Sequence, residues 1–364
     1  MDWEKLLRSI LERKASDLHL DVACSPVMRI NGELIKREDI PPLSKRDVEL
    51  VLEQVTTPEQ RTQFQKDMEL DFAYSFFGLA RFRVNALRQR GTTSLAFRVV
   101  PFKVQTVDEL ELPQICKTLI MKKSGLILIT GSSGAGKSTT QSAMIDYLNE
   151  NVMRHVITIE DPIEFIHSNK KCIIVQRDLG DDTKSFDTAL THALRHDPDV
   201  IMLGEMRDMS TMGTALRAAE TGHLVIGTLH TTDAVRTINR VIDMFPSSQQ
   251  HQVRQQLAET IEAVFSQILL NRTLGGRVGV FEILLANDGV RNVIREGKNH
   301  ELYNLMQLGG QQGMRTMDDS LAEQVGKYTI TLEEAMTRAL HPDQLRKKFE
   351  SPVKQDWATA GRRS

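Results

Sequence analysis

The chain has 364 residues, with 46 Lys and Arg against 48 Asp and Glu, a formal net charge of −2 and a sequence pI of about 6.6. That length allows two or three domains with a substantial core, and the charge balance supplies no global basic field for nucleic acid or acidic lipid. Cys24, Cys116 and Cys172 stand far apart with no C-x-x-C spacing, so they indicate neither a disulfide framework nor a zinc site and suit packing positions in a reducing cytoplasm.

The amino terminus, Met1-Asp2-Trp3-Glu4, is acidic and unlike a signal peptide, and no apolar run reaches the length of a membrane span. The expectation is a soluble protein, with docking to a membrane complex left open. Leu6, Leu7, Ile10 and Leu11 recur at helical spacing, and Asp17 to Val22 then alternates as a strand. Asn31-Gly32 separates Val27–Ile30 from Glu33–Ile35 as a hairpin turn does, and a second hairpin is expected from Ala80 to Val100 around Gly91. With helical stretches near residues 44–66, these elements predict a small α+β domain over residues 1–100.

Pro101 to Pro113 reads as the start of a linker, placed over 101–118, because its prolines and acids interrupt both periodicities. From Gly125 the texture changes to short, wholly apolar runs: Leu126–Ile129, Val156–Ile159, Val200–Leu203 and Leu224–Leu229. Strands of that kind are buried on both faces of a mostly parallel, helix-covered sheet, and they predict an α/β core over 119–285. After Pro246, the positions Val253, Leu257, Ile261, Val264, Phe265 and Ile268 predict one long amphipathic helix capped by Ser247 or Ser248. Residues 286–349 look largely helical, and the polar stretch from Glu350 to Ser364 is expected to be disordered.

The most informative segment follows the first apolar run. Gly131-Ser132-Ser133-Gly134-Ala135-Gly136-Lys137-Ser138 matches the phosphate-binding loop and leads into a helix-compatible stretch from Thr139 to Asn149. Glycines let backbone N–H groups wrap phosphates without a Cβ in the way, Lys137 reaches the terminal phosphates and Ser138 holds Mg²⁺. The expected nucleotide contacts are Ser132, Ser133, Gly134, Ala135, Gly136, Lys137, Ser138 and Thr139. Asp199 to Glu205 ends a buried strand with a carboxylate, which makes Glu205 the candidate for managing Mg²⁺ or the attacking water. A second acidic cluster, Glu160-Asp161-Pro162-Ile163-Glu164, follows another apolar strand. Either cluster alone suits a solvated loop, but both following strands of one domain point to a site. His223 and His230 bracket Leu224–Leu229; the plainer reading is a hydrogen-bonded core histidine, and the functional one is γ-phosphate sensing.

Gly-Ser-Ser-Gly-Ala-Gly-Lys-Ser-Thr-Thr (131–140), Thr-Ile-Glu-Asp-Pro-Ile-Glu-Phe (158–165), Gly-Glu-Met-Arg-Asp (204–208) and the histidine segment together resemble the secretion ATPase superfamily. Within it the chain is similar to the type IV pilus retraction ATPases, the PilT/PilU group, from about Ala15 to residue 340. The resemblance implies a RecA-like P-loop NTPase core, a small PAS-like amino-terminal domain and a helical carboxy-terminal region. It also implies a cytoplasmic homo-hexamer, peripheral at the inner-membrane face of a pilus machine, that hydrolyses ATP with Mg²⁺ to drive domain rotation and twitching motility. The implied partners are an inner-membrane pilus platform protein and a paralogous retraction ATPase, with no nucleic acid. The second hairpin matches segments that supply phosphate-contacting arginines, which points to Arg83 and Arg98, with Arg81 as a rival. Which carboxylate polarises water, an Asp-box glutamate (Glu160 or Glu164) or Glu205, stays open.

Assembly and type II secretion relatives generally carry a longer amino-terminal part and a tetracysteine motif, absent here, and Gly289 to Glu296 looks like the signature helix of the retraction group. Departures are Gly289 where the group has Ala, Ser132-Ser133 where it has Pro-Thr, and Asp178 where it has Glu. An accessory ring subunit with weak hydrolysis and another secretion or assembly ATPase are the alternatives, and a DNA-translocating relative is disfavoured by the acidic balance.

Overall fold

The computed structural model describes residues 3–30, 32–76, 80–100 and 104–350. Asn31 of the expected first turn, the opening Pro101–Lys103 of the expected linker and the tail beyond Glu350 lie outside them. The chain divides into two compact units, the first built from the amino-terminal residues plus Pro162–His167 and Gly180–Asp182, the second from the rest.

The first unit runs α1 (Trp3–Glu12), β1 (Asp17–Leu20), β2 (Val27–Ile30), β3 (Glu33–Lys36), α2 (Lys45–Val55), α3 (Pro58–Asp67), β4 (Glu69–Phe76), β5 (Ala80–Gln89) and β6 (Thr92–Val100). Its strands form one antiparallel sheet in the order β3-β2-β1-β6-β5-β4. The hairpin expected around Gly91 forms as β5 and β6, and on one face Phe82, Val84, Ala86, Leu95 and Phe97 are buried with Leu6, Leu7 and Ile10 of α1 and Val48 and Val51 of α2. Arg90 and Gly91 both take positive φ (47° and 75°), the geometry that a two-residue hairpin turn between twisted strands requires. Ser44 and Thr57 close capping boxes with Asp47 and Gln60, which fixes where α2 and α3 begin.

The second unit opens with α4 (Ile115–Ile120), β7 (Gly125–Thr130), α5 (Lys137–Asn151), β8 (His155–Glu160), β9 (Ile173–Asp178), α6 (Phe186–Ala193), β10 (Val200–Leu203), α7 (Met209–Glu220) and β11 (Leu224–Leu229). It continues through α8 (Ala234–Asp243), α9 (Ser247–Thr260), β12 (Ile261–Asn271), β13 (Arg277–Leu285), α10 (Asp288–Glu296), α11 (Leu302–Leu308), α12 (Met317–Gly326), α13 (Leu332–Arg338) and α14 (Pro342–Glu350). The sheet order is β13-β12-β7-β11-β10-β8-β9, parallel throughout except for the β12–β13 hairpin. β7 shows why its run is wholly apolar: Leu126 and Leu128 enter the core on one face of the sheet, Ile127 and Ile129 the core on the other.

One expectation fails here. The long helix after Pro246 stops at Thr260, and Ile261, Val264, Phe265 and Ile268 lie on β12, beside β7. Neither serine caps it; Pro246 holds the N-cap position without a side-chain bond. Arg291 of α10 marks the switch, donating to the carbonyls of Ala258 (2.7 Å) and Glu259 (2.8 Å) and to Glu262 Oε1 (3.2 Å). Cys116 is buried and its thiol pushed up to about 12 by desolvation, which leaves it inert at neutral pH. Among the described residues no helix is long and apolar enough to cross a membrane.

Candidate nucleotide site

The parallel strands β7, β11, β10 and β8 point their carboxyl ends to one edge of the sheet, where ligands of open α/β sheets bind. Register places Thr130 beside Leu229, Leu203 beside Gly227 and Ile159 beside Leu203, so the segments that follow these strands emerge together. Those segments are the loop Gly131–Gly136, the His230 segment, Glu205 and Glu160.

The loop turns through Gly131 (φ 147°), Gly134 (φ 77°) and Gly136 (φ 88°), and Gly136 is the N-cap of α5. An added Cβ at Gly134 would meet nothing within 4 Å, so that side of the loop is open. Ser132, Ser133 and Gly134 are exposed, Ala135 is buried, and Gly136, Ser138 and Thr139 are half-buried at the helix start. Lys137 is buried, and its ammonium donates to the carbonyls of Gly131 and Ser132, 2.9 Å each. A lysine folded across its own loop keeps its charge beside the helix N-terminus, where an anion is favoured.

Glu205 lies just past β10. Its Oε1 accepts from Arg207 Nε (2.6 Å) and contacts His230 Nε2 (2.8 Å). Burial raises the Glu205 carboxyl, but the Arg207 hydrogen bond and the charges of His230 and Arg207 more than offset this and hold it below the usual range. The backbone here is tied on both sides: Gly204 N–H donates to Ile159 O (2.8 Å), Met206 N–H to Thr228 O (3.0 Å), and Thr228 Oγ1 to Gly204 O. Gln141 of α5 donates to Leu203 O (3.1 Å), connecting the loop's helix to this strand. Glu160 is buried at the end of β8, where Oε1 accepts from Thr158 Oγ1 (2.6 Å) and Gln176 Nε2 (3.1 Å).

The loop, Glu160, Glu205 and His230 thus gather at one edge, and His223 does not join them. It precedes the opposite end of β11, roughly 23 Å from His230 by strand rise, and its ring Nδ1 contacts Ala218 O (3.0 Å) where α7 ends. The plainer of the two histidine readings fits it. Glu164 is exposed and belongs with the first unit. Arg83 and Arg98 also lie in that unit, as directly opposed partners on β5 and β6. Arg98 is exposed and donates to Asp17 Oδ1 at 2.8 Å. Burial raises Asp17, and the Arg98 and Ser16 hydrogen bonds outweigh it and hold the carboxyl down. Arg81 is half-buried on the same strand.

Two residues were missed at the sequence level. Arg207 follows the acidic strand end, where a lone arginine reads as a surface charge. Gln267 was assigned to the interior of a helix, yet on β12 its amide Nε2 donates to Ala135 O (2.6 Å) and its Oε1 accepts from Thr140 Oγ1 (2.9 Å). Among the described residues no group of three or more His, Cys, Asp and Glu forms a metal cage. The donors at hand, the Ser138 hydroxyl and the Glu205 carboxylate, instead suit a hard cation that keeps waters and shares phosphate oxygens, as Mg²⁺ does.

This sheet with these strand-end groups defines a nucleoside-triphosphatase fold of the RecA-like class. The model of type II/IV secretion system proteins matches residues 2–337. The chain is 44% identical over 343 residues to the type IV pilus retraction ATPase PilT of Pseudomonas aeruginosa, covering 94% of this chain and 99% of that one. It is 40% identical over 347 residues to the type IV pilus ATPase PilU of the same organism, covering 95% and 91%. The crystal structure of the pilus retraction motor PilT with bound ADP superposes with a TM-score of 0.87 at 43% identity, covering 94% of this chain and 98% of that one. The chain belongs to the type II/IV secretion system ATPase family, among its type IV pilus retraction ATPases.

Proposed function

We propose that the chain is a hexameric motor that hydrolyses ATP to power retraction of type IV pili, working against an inner-membrane platform protein. The observation that carries the chemistry is the meeting of Lys137's loop, Glu205, His230 and Glu160 at the carboxyl edge of one parallel sheet. The relatives' names carry the biological reading.

In this reading ATP lies along Ser132 to Thr139. The N–H groups of the loop and the start of α5 receive the phosphates, and Lys137 exchanges its two carbonyl partners for phosphate oxygens. Ser138 and Glu205 would hold Mg²⁺, which would supply neutralisation of charge on the β- and γ-phosphates. Glu205 is held below the usual carboxylate range, chiefly by the Arg207 hydrogen bond outweighing burial, so it orients and stabilises. The water is left to the Asp box, where Glu160 is buried at the end of β8 and accepts from Thr158 and Gln176. His230 touches Glu205, which supports a part in reporting the γ-phosphate, and His223 keeps a packing role. Arg83 and Arg98 present cations on one sheet face to balance charge developing in phosphoryl transfer. The full set Lys137, Glu160 and Glu205 favours turnover over a purely accessory role.

Phosphate release by the purified protein tests the chemistry: Lys137→Ala and Glu205→Ala should each lose at least about a hundredfold in kcat, on the scale of removing a charge-stabilising group. Turnover at the wild-type rate in both variants refutes the site. Deleting the gene should abolish twitching, and complementation with Lys137→Ala should not restore it; restoration would mean that hydrolysis is dispensable.

A further inference from the structure

Gln267 occupies a position that a loop-to-phosphate description does not explain. β12 runs beside β7 with Ser266 paired to Thr130, so Gln267 stands level with Gly131, where the loop leaves the sheet. It is 3% exposed, and both ends of its amide are used on opposite parts of the loop structure. The donor end takes Ala135 O, within the loop; the acceptor end takes the hydroxyl of Thr140, one turn into α5. Two glycines are shaped around the same residue. A Cβ on Gly131 would stand 2.3 Å from the Gln267 carbonyl oxygen, and one on Gly136 would stand 2.8 Å from its Nε2.

The peptide joining Ala135 to Gly136 is planar and trans, so its C=O and N–H point in opposite directions. Anchoring the Ala135 carbonyl on Gln267 therefore turns the Gly136 N–H away from β12. Among the described residues nothing accepts that N–H. We propose that Gln267 is a positioning residue of the nucleotide site: its two-ended amide clamp holds the loop in a phosphate-receiving shape before nucleotide arrives. The inference rests on the loop being that site. Preorganised donors bind without first being ordered, so releasing the clamp weakens affinity for the phosphates themselves.

The test uses the full chain and ADP with magnesium, titrated by calorimetry at a temperature where each variant is folded by circular dichroism. Gln267→Met keeps length and burial and removes both hydrogen bonds; its Kd should rise about tenfold or more, which is about 1.4 kcal/mol. Thr140→Val releases only the helix end and should raise Kd about threefold. In the double variant the second loss should vanish, because Thr140 acts through Gln267. A structural role alone would lower the melting temperature without nucleotide and leave Kd unchanged in the folded protein, and that result overturns the proposal. If Gln267→Met does not fold, an unchanged Kd in Thr140→Val overturns it equally. Lys137→Ala separates the two readings: if wild type and Lys137→Ala bind ADP alike, the site assignment has failed. If Lys137→Ala loses ADP while Gln267→Met keeps wild-type affinity, only the clamp has failed.

Discussion

A buried carboxylate two strands from the loop gives the sharpest stability prediction. Glu282 on β13 pairs with Ser266, which in turn accepts the Thr130 hydroxyl at 3.0 Å, and it is 3% exposed. Its Oε1 accepts the N–H of Ala234, the first residue of α8, at 2.7 Å, and the Met317 N–H at the start of α12 also favours its charge. Burial dominates nonetheless, and with Asp233 and Asp318 nearby it pushes the carboxyl up to about 7 from 4.5. An acid that binds its proton more tightly when folded makes stability fall as pH rises from the unfolded value near 4.5 through about 7, after which the penalty is constant. At about 1.4 kcal/mol per tenfold in proton affinity, the penalty at pH 8 is about 3 kcal/mol. Glu282→Gln removes the titration but sets an amide donor against the Met317 N–H, a loss of about 1 kcal/mol at any pH. The difference between the two pH values isolates the charge: because a little of the penalty is already present at pH 5, Glu282→Gln should, relative to wild type, be about 2–3 kcal/mol more favourable at pH 8 than at pH 5. Urea unfolding at both pH values measures it. An effect of Glu282→Gln that is the same at pH 5 and pH 8 refutes the argument that the carboxylate is charged at a cost.

Two further outcomes follow from the packing. Arg291→Ala removes three hydrogen bonds at the point where α9 becomes β12 and should lower stability by about 2 kcal/mol, with Arg291→Lys recovering only part because an ammonium lacks the guanidinium fork. Wild-type melting of Arg291→Ala would show that the junction holds without it. Gly131→Ala and Gly134→Ala both force a side chain into positive φ, but only the first meets backbone, at 2.3 Å. Gly134→Ala should therefore cost about 1 kcal/mol and Gly131→Ala about 1–3 kcal/mol more, read as melting temperatures without nucleotide; equal shifts would mean that the loop relaxes away from β12.

The legible parts of this protein were those in which local chemistry and burial demand the same residues. The loop announces itself because three positive-φ positions need glycine, and β7, β8, β10 and β11 because a strand covered on both faces must be apolar throughout. β12 failed for a related reason. It too is buried on both faces, so its apolar positions carry no period of two, and joined to those of α9 they satisfy helical spacing by accident. The contrary signals were present: β-branched Ile261, Val264 and Ile268, and Gly275-Gly276, both at positive φ, turning the chain back into β13. Misplacing that strand hid Gln267, because a glutamine on a solvated helix has no claim on function, whereas one beside β7 faces the loop. His223 shows the converse. The strand was read correctly, but the length of a six-residue strand already separates the two residues flanking it by more than any phosphate spans, so only one of the bracketing histidines can share the site with Glu205.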